Sequence, residues 1–367
     1  MYLYEKNKEG TYKMKNKIEA VNGFRAVAFI VIFLSHAGVI WHDFGACSVS
    51  FFLVLSGFIT FYAHQGGDMK CRLRDCINFS YRKIKRMYPL HLIMLVPALA
   101  IQVAFVYIGR ETFSIADFLS VLIPNVFLFH TWFPINRIYF GYNGVAWYLS
   151  TYAFLCFMFP ILFRLMKKWN ARKAVISIGI CVIVPIIISF ILEVGNFQQY
   201  REWILYVFPP VRLLDYFAGM QIGYFFCSRQ NTMSGKMIAL LQVGVILASI
   251  LLTSFLNADY QIPFIASVMN ESIIVYMPVA ILGVYLIAQN RGWVNKCLKS
   301  KWLSSIGNVS MYAFLIHYLV LQYTHMVITN FISENISAYV LCAISMLITT
   351  GLTWLYIKAK NGCGVSA

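Results

Sequence analysis

Ten apolar runs constrain this chain more than any other feature. They cover about 21–40, 47–65, 88–108, 143–166, 173–194, 211–228, 237–256, 272–289, 306–328 and 337–357. Each approaches the ~20 residues that a helix needs to cross a hydrocarbon core. With 60% hydrophobic and 12% charged residues, the chain does not match a soluble globular domain. An all-α, polytopic membrane protein of ten transmembrane helices is expected. The domain plan is a basic tail over 1–20, a membrane domain over 21–357 and a short tail over 358–367. The stretch 113–135 holds Asp117, Pro124, Asn125, His130 and Pro134 among apolar residues, and reads as interfacial or re-entrant.

Charge distribution orients the spans. Of the 30 Lys and Arg residues, 25 lie in one alternate set of loops and tails, including the stretch 70–86, where seven fall. The opposite set holds Arg110, Arg137 and Arg201, and two more, Arg25 and Arg212, lie within spans. This alternation is what an even span count gives with both termini cytoplasmic. The net charge of +16 is therefore a loop signal and no argument for nucleic acid. The nine cysteines show no zinc-type spacing and read as buried apolar residues, so no metal is expected. A basic start before an apolar run also suits a signal peptide. Arg25 and the length of the run argue instead for a retained helix.

The first span, VNGFRAVAFIVIFLSHAGVI, carries Arg25 and His36. At 100° per residue their eleven-position spacing leaves them ~20° apart on one face, and ~16 Å apart along the axis. A central charge costs roughly 2.5–3.5 kcal/mol on insertion scales, so this stripe should face a polar channel between helices. His36 suits a general base that activates a hydroxyl. Arg25 is placed either to snorkel toward water or to bind a phosphate or carbonyl group. Two polar residues hydrogen-bonded within a bundle would fit the same pattern.

Five further places could carry chemistry. Ser56, in FFLVLSGF of the second span, lies within plausible reach of the His36 face; it is a nucleophile or a packing residue bonded to a carbonyl. Arg82, Lys83, Lys85 and Arg86 cluster before the third span, as an ordinary positive-inside cluster or as a phosphate site. The outer region RIYFGYNGVAWYLS offers Asn143 and Trp147 for a sugar, or simply an aromatic belt. Arg212 and Asp215 are three apart on a helix and pair by default. Ser310 and His317 share a face of the ninth span, where a lone imidazole more often packs than reacts. Gly219 and Gly223 read as a close-packing face.

Together these pieces resemble the acyltransferase-3 family of integral membrane O-acyltransferases. The resemblance is carried by Gly23-Phe24-Arg25-Ala26 with ten residues between Arg25 and His36, and by Phe51 to Phe58. Arg82 to Pro89, Asn143 to Ser150, Pro209 through Gly223, and Ser310 through His317 follow in the family's order. It implies ten helices in a cell membrane, that of the bacterial cytoplasm. It implies an acyl-CoA donor, most often acetyl-CoA, as co-substrate, and a carbohydrate acceptor that is a surface glycan or its lipid-linked precursor. It further implies that Arg25 and His36 are essential, with Arg82, Lys83 and Arg86 near the donor. Some members have an acidic residue after the Trp-x-Leu-Ser step, where this chain has Thr151 and Tyr152. Some carry a C-terminal hydrolase-like domain, expected here to be absent or separate. The competing class is a transporter or flippase for an acyl or glycan substrate, which would also use intramembrane Arg and His.

Overall fold

The computed structural model describes residues 5–6, 12–13, 18–107, 114–228, 232–257, 268, 272–331 and 336–362. Lys8, Lys15, Lys17, Ile108, Arg110, Arg229 and the end of the C-terminal tail, all used in the charge map or the span limits, lie outside the described residues. In the N-terminal tail, β1 (Glu5–Lys6) and β2 (Tyr12–Lys13) form one small antiparallel ladder. All other regular structure among the described residues is helical.

The first two helices are α1 (Glu19–His36) and α2 (His42–His64). They replace the expected limits 21–40 and 47–65. Gly38 ends α1: its φ of +71° is a left-handed conformation that glycine adopts without strain. The chain restarts at once, so His42 and Asp43 belong to the first turn of α2.

The basic stretch expected as a loop is partly a helix. Helix α3 (Leu73–Ile84) is amphipathic and is joined to α4 (Tyr88–Tyr107) through a bend of 61°. Its apolar side packs on the later helix α7 (Trp147–Met166), with Phe79 stacked 4.9 Å from Phe159. Burying that face orders a segment whose charge alone would keep it in water. Helix α5 (Ile115–Val126) and a 3-10 turn over His130–Trp132 lie in the ambiguous stretch, and the short α6 (Asn136–Tyr139) follows it. The end of α5 meets the start of α4, where Tyr88 donates to the Val126 carbonyl at 2.9 Å. Arg137, further on, returns to Asp117 near the start of α5 at 2.6 Å. The segment thus comes back to the side from which it departs, as a re-entrant hairpin does.

The remaining helices are α8 (Ala171–Val194), α9 (Pro209–Ser228), α10 (Gly235–Leu256), α11 (Ser272–Ala288), the short α12 (Trp293–Leu298), α13 (Lys301–Phe331) and α14 (Ala338–Gly362). Helix α14 carries Lys358 and Lys360 within its last turns. Each of the ten expected runs therefore contains a helix. Seven described helices are long and apolar enough to cross a membrane, and eight if the bent pair counts as one span. The two other runs are α11, which is short, and α9, whose Arg212, Asp215 and Gln221 lower its apolarity. Both are largely enclosed by other helices and need not match lipid.

Helices inside lipid associate by close approach rather than by leaving water. At the α2–α9 contact a Cβ on Gly57 would lie 1.8 Å from the Tyr216 carbonyl oxygen, and one on Gly219 1.9 Å from that of Val54. Gly223 continues the face against Phe61. The two backbones touch, so α2 and α9 form the centre around which the bundle is arranged. Helix α1 packs between α2 and α13, with Asn22 donating to Asn308 at 2.9 Å.

Contacts between connections define two ends. At one, Lys167 reaches Asp68 at 2.5 Å, Tyr224 donates to the Trp169 carbonyl at 2.9 Å, and Arg86 and Lys360 meet at Tyr312. The Lys167 ammonium holds the Asp68 carboxyl below its usual range, by hydrogen bond and by charge. At the other end, Asn257 donates to Asp43 at 3.0 Å, and Glu202 accepts from Asn136 and Tyr139. The basic connections converge at the first end.

Candidate active site

A cavity of about 870 Å³ opens between α1, α2, α3, α4, α7, α13 and α14. That is within the range of ordinary ligand sites, roughly 300–1,000 Å³. Six cations line it: Arg25, Arg82, Lys83, Lys85, Arg86 and Lys360. No carboxylate is among the described lining residues. The fold thus gathers Arg25 of α1, the basic end of α3 and the C-terminal Lys360 into one chamber.

Local contacts hold these charges in place. Lys83 lies over the Phe79 ring at 5.3 Å and Arg82 at 6.0 Å. Arg86 Nε and Lys360 Nζ each donate to the Tyr312 hydroxyl at 3.0 Å. Those two nitrogens are therefore at most about 6 Å apart, two like charges drawn to one hydroxyl and repelling each other. An anion entering the cavity would relieve this repulsion. Arg25 sits deeper, within electrostatic range of Tyr148, Tyr152 and Arg86.

Apolar and aromatic groups close the inner end: Phe52, Leu55, Tyr148, Phe314 and Leu315. His36 does not line this cavity. It lies just beyond, at the end of α1, half-buried and paired with His317 of α13. His36 Nδ1 and His317 Nε2 are 2.9 Å apart, and the rings stack at 5.1 Å. His317 is fully buried, and its Nδ1 is 2.7 Å from the Phe314 carbonyl.

These two contacts determine where the protons are. A carbonyl only accepts, so His317 Nδ1 carries a proton and donates it to Phe314. With the ring neutral, His317 Nε2 is then an acceptor, and His36 Nδ1 must donate to it. His36 Nε2 is left with an uncommitted lone pair among the described residues. A third group thus orients an imidazole whose second nitrogen is free to take a proton, the arrangement a general base needs. Its partner His317 lies one aromatic side chain from the cavity, since the ring of Phe314, a lining residue, is 5.6 Å from that of His317.

Other expected candidates fall elsewhere. Ser56 lines the cavity, but no contact joins it to His36. Its hydroxyl donates to the Phe52 carbonyl at 2.7 Å and meets the Tyr148 hydroxyl at 3.3 Å. A proton committed to a carbonyl is the pattern of a helix-packing serine. Asn143 is buried and donates to the Leu315 carbonyl at 2.8 Å, so it ties α7's entry to α13. Trp147 is buried too, 4.9 Å from the Tyr206 ring, and offers no open face to a sugar. Arg212 is 0% exposed and forms an ion pair with Asp215 at 3.4 Å, away from the cavity lining. Two of its donors go to Ser50 and to the Leu205 carbonyl. The sequence argument had Lys85 within its basic cluster but missed Lys360, Tyr148 and Phe314 as cavity residues. Lys360 carried no usable signal, because only folding brings the last helix beside Arg86.

Among the described residues no group of three or more His, Cys, Asp or Glu could hold a metal ion. The family model for the acyltransferase-3 acyltransferase domain matches residues 18–355. The chain belongs to this family. It is an acyltransferase, built as a multi-pass membrane protein. It is 26% identical over 298 residues to the acyltransferase MdmB of Streptomyces mycarofaciens, covering 77% of this chain and 69% of that one. It is 25% identical over 381 residues to the peptidoglycan O-acetyltransferase OatA of Listeria monocytogenes, covering 97% of this chain. The match spans 58% of the length of the listerial protein. No solved structure matches the chain with significance.

Proposed function

We propose that this acyltransferase moves an acyl group, acetyl in the first instance, from acyl-CoA to a hydroxyl of a surface or lipid-linked carbohydrate. The membrane is the bacterial cytoplasmic membrane, with the basic end of the bundle and both chain termini facing the cytoplasm. The observation that carries the reading is the cation-lined cavity ending one aromatic layer from an oriented imidazole pair. Six cations without a carboxylate suit a polyphosphate donor. The apolar inner end suits the uncharged pantetheine arm. The positive-inside distribution supports the cytoplasmic assignment. A carbohydrate acceptor is supported by the name of the listerial relative.

In this mechanism the phosphates rest near Arg82, Lys83 and Arg86, with Lys85 and Lys360 at the same mouth. Arg25, one helix face below His36, orients the donor's polar groups. Phe314 turns aside to let the thioester meet the acceptor. The acceptor hydroxyl gives its proton to His36 Nε2 as its oxygen attacks the thioester carbon. The C–S bond breaks, and the departing thiolate recovers that proton from His36. His317 holds the imidazole in the tautomer this requires.

The test is mass spectrometry of envelope glycans from a deletion strain complemented with wild type or His36→Ala. Loss of one acyl increment in both the deletion and the His36→Ala strain, with normal membrane levels of the variant, is expected. Free CoA released in a His36-dependent way separates this reading from a transporter, which would move its substrate without cleaving a thioester. Full acylation by His36→Ala would remove the histidine from the mechanism.

A further inference from the structure

Acyl transfer places negative charge on the carbonyl oxygen, and a donor must meet it there. The second residue of α7 stands where that donor is needed. Tyr148 lines the inner end of the cavity beside Arg25. Its ring is stacked on Tyr152 at 6.1 Å, with the Phe314 ring 5.6 Å away. Its hydroxyl has one hydrogen-bond contact among the described residues, Ser56 Oγ at 3.3 Å. Ser56 has already given its proton to the Phe52 carbonyl at 2.7 Å. The Tyr148 proton must therefore be the one pointing at Ser56, across a distance well beyond the ~2.7–2.8 Å of a good O–H···O bond. A poorly bonded donor at the inner end of the chamber exchanges a weak partner for a stronger one at little cost.

The ring contacts also set its position relative to the base. Tyr148 touches Phe314, Phe314 touches His317 at 5.6 Å, and His317 stacks on His36. A carbonyl held by Tyr148 is thus one aromatic side chain from the imidazole pair. We propose that the Tyr148 hydroxyl is a catalytic residue: it donates a hydrogen bond to the thioester carbonyl oxygen and stabilises the oxyanion formed when the acceptor attacks. This rests on the acyl-CoA reading above. As the acceptor oxygen bonds to the carbonyl carbon, the C=O π pair moves onto oxygen, opposite the Tyr148 O–H. The pair returns as the C–S bond breaks. Tyr148 keeps its proton throughout, and the acceptor's proton travels by His36. Ser56 has the lesser role of parking the hydroxyl when no donor is bound.

The experiment uses the full chain in lipid nanodiscs, with acetyl-CoA as donor and an envelope fraction of the host as acceptor, reading released CoA thiol. Tyr148→Phe is expected to lower kcat about 10²–10³-fold with KM for acetyl-CoA changed less than about threefold. A second variant carries 3-fluorotyrosine at position 148. It preserves shape while making the hydroxyl more acidic, and its kcat is expected to depart measurably from wild type at unchanged KM. A merely structural tyrosine would not respond to fluorination. Wild-type kcat in Tyr148→Phe would overturn the proposal. So would a collapsed Tyr148→Phe variant together with a fluorotyrosine protein indistinguishable from wild type. Either result leaves the acyl-CoA reading standing, because wild-type CoA release is measured in the same series. A wild-type protein that neither binds acetyl-CoA nor releases CoA would overturn that reading and this proposal with it.

Discussion

Two arginines sit inside this bundle, and they are handled in opposite ways. Arg212 is sealed between α9 and its neighbours, 3.4 Å from Asp215, with one donor to Ser50 and one to the Leu205 carbonyl. Arg25 lines an open chamber, shares it with five more cations, and has no carboxylate among the described lining residues. Sequence places both residues alike, each within an apolar run. The difference is one of counter-charge. A buried pair is closed and structural, whereas a buried cation facing a cavity without a counter-charge leaves room for an anionic ligand.

The comparison can be broken at either end, and the largest effect belongs to the sealed pair. Removing one partner of a buried ion pair typically costs about 3–5 kcal/mol, because the other charge is stranded. Arg212→Ala should therefore cut the amount of folded protein in the membrane, as read by fluorescence-detected size exclusion. Arg212→Met with Asp215→Leu should recover much of that loss. Normal folding of Arg212→Ala would mean the pair contributes little to the fold.

Arg25→Ala makes the opposite prediction. The protein should stay folded, with kcat/KM for acetyl-CoA down about 10²-fold, equivalent to about 2.7 kcal/mol. If Arg25→Ala instead loses the fold and keeps its activity per folded molecule, the two arginines are alike and the contrast fails. His317→Ala comes next. It removes the acceptor that sets the His36 tautomer, and kcat should fall about tenfold or more at unchanged donor affinity. An unchanged kcat would show that His36 needs no such orienting partner.

The smallest effect is expected at the mouth. Lys360→Ala should weaken acetyl-CoA binding by a few-fold and reduce the salt dependence of that binding, since one screened charge is lost. A Lys360→Ala protein with the wild-type salt slope would place the phosphates elsewhere in the chamber.

Helix identity was legible in the chain because a bilayer leaves long apolar runs few other structures. Helix limits were less so. The end of α1 depends on Gly38 adopting a positive φ, and α3 depends on an apolar face that only α7 can cover. The Arg25–His36 stripe was visible from spacing. What faces it was not. Spacing put both residues on one channel, but the structure gives Arg25 the cavity and His36 the partner His317, with Phe314 between them. Trp147 and Asn143 were plausible sugar contacts from composition alone; each is committed to packing or to a carbonyl within the core.

Composition, run length and charge alternation by themselves determined that this is a helical membrane protein with its cations gathered at one end. Local patterns can do this because solvent preference acts residue by residue. Only the tertiary structure decided that Lys360 joins Arg86, that His36 meets His317, and that Tyr148 faces the same chamber as Arg25. Those pairings join positions up to hundreds of residues apart. No local preference encodes them, and they arise only when backbone-to-backbone contacts such as Gly57 against Tyr216 set how the helices cross.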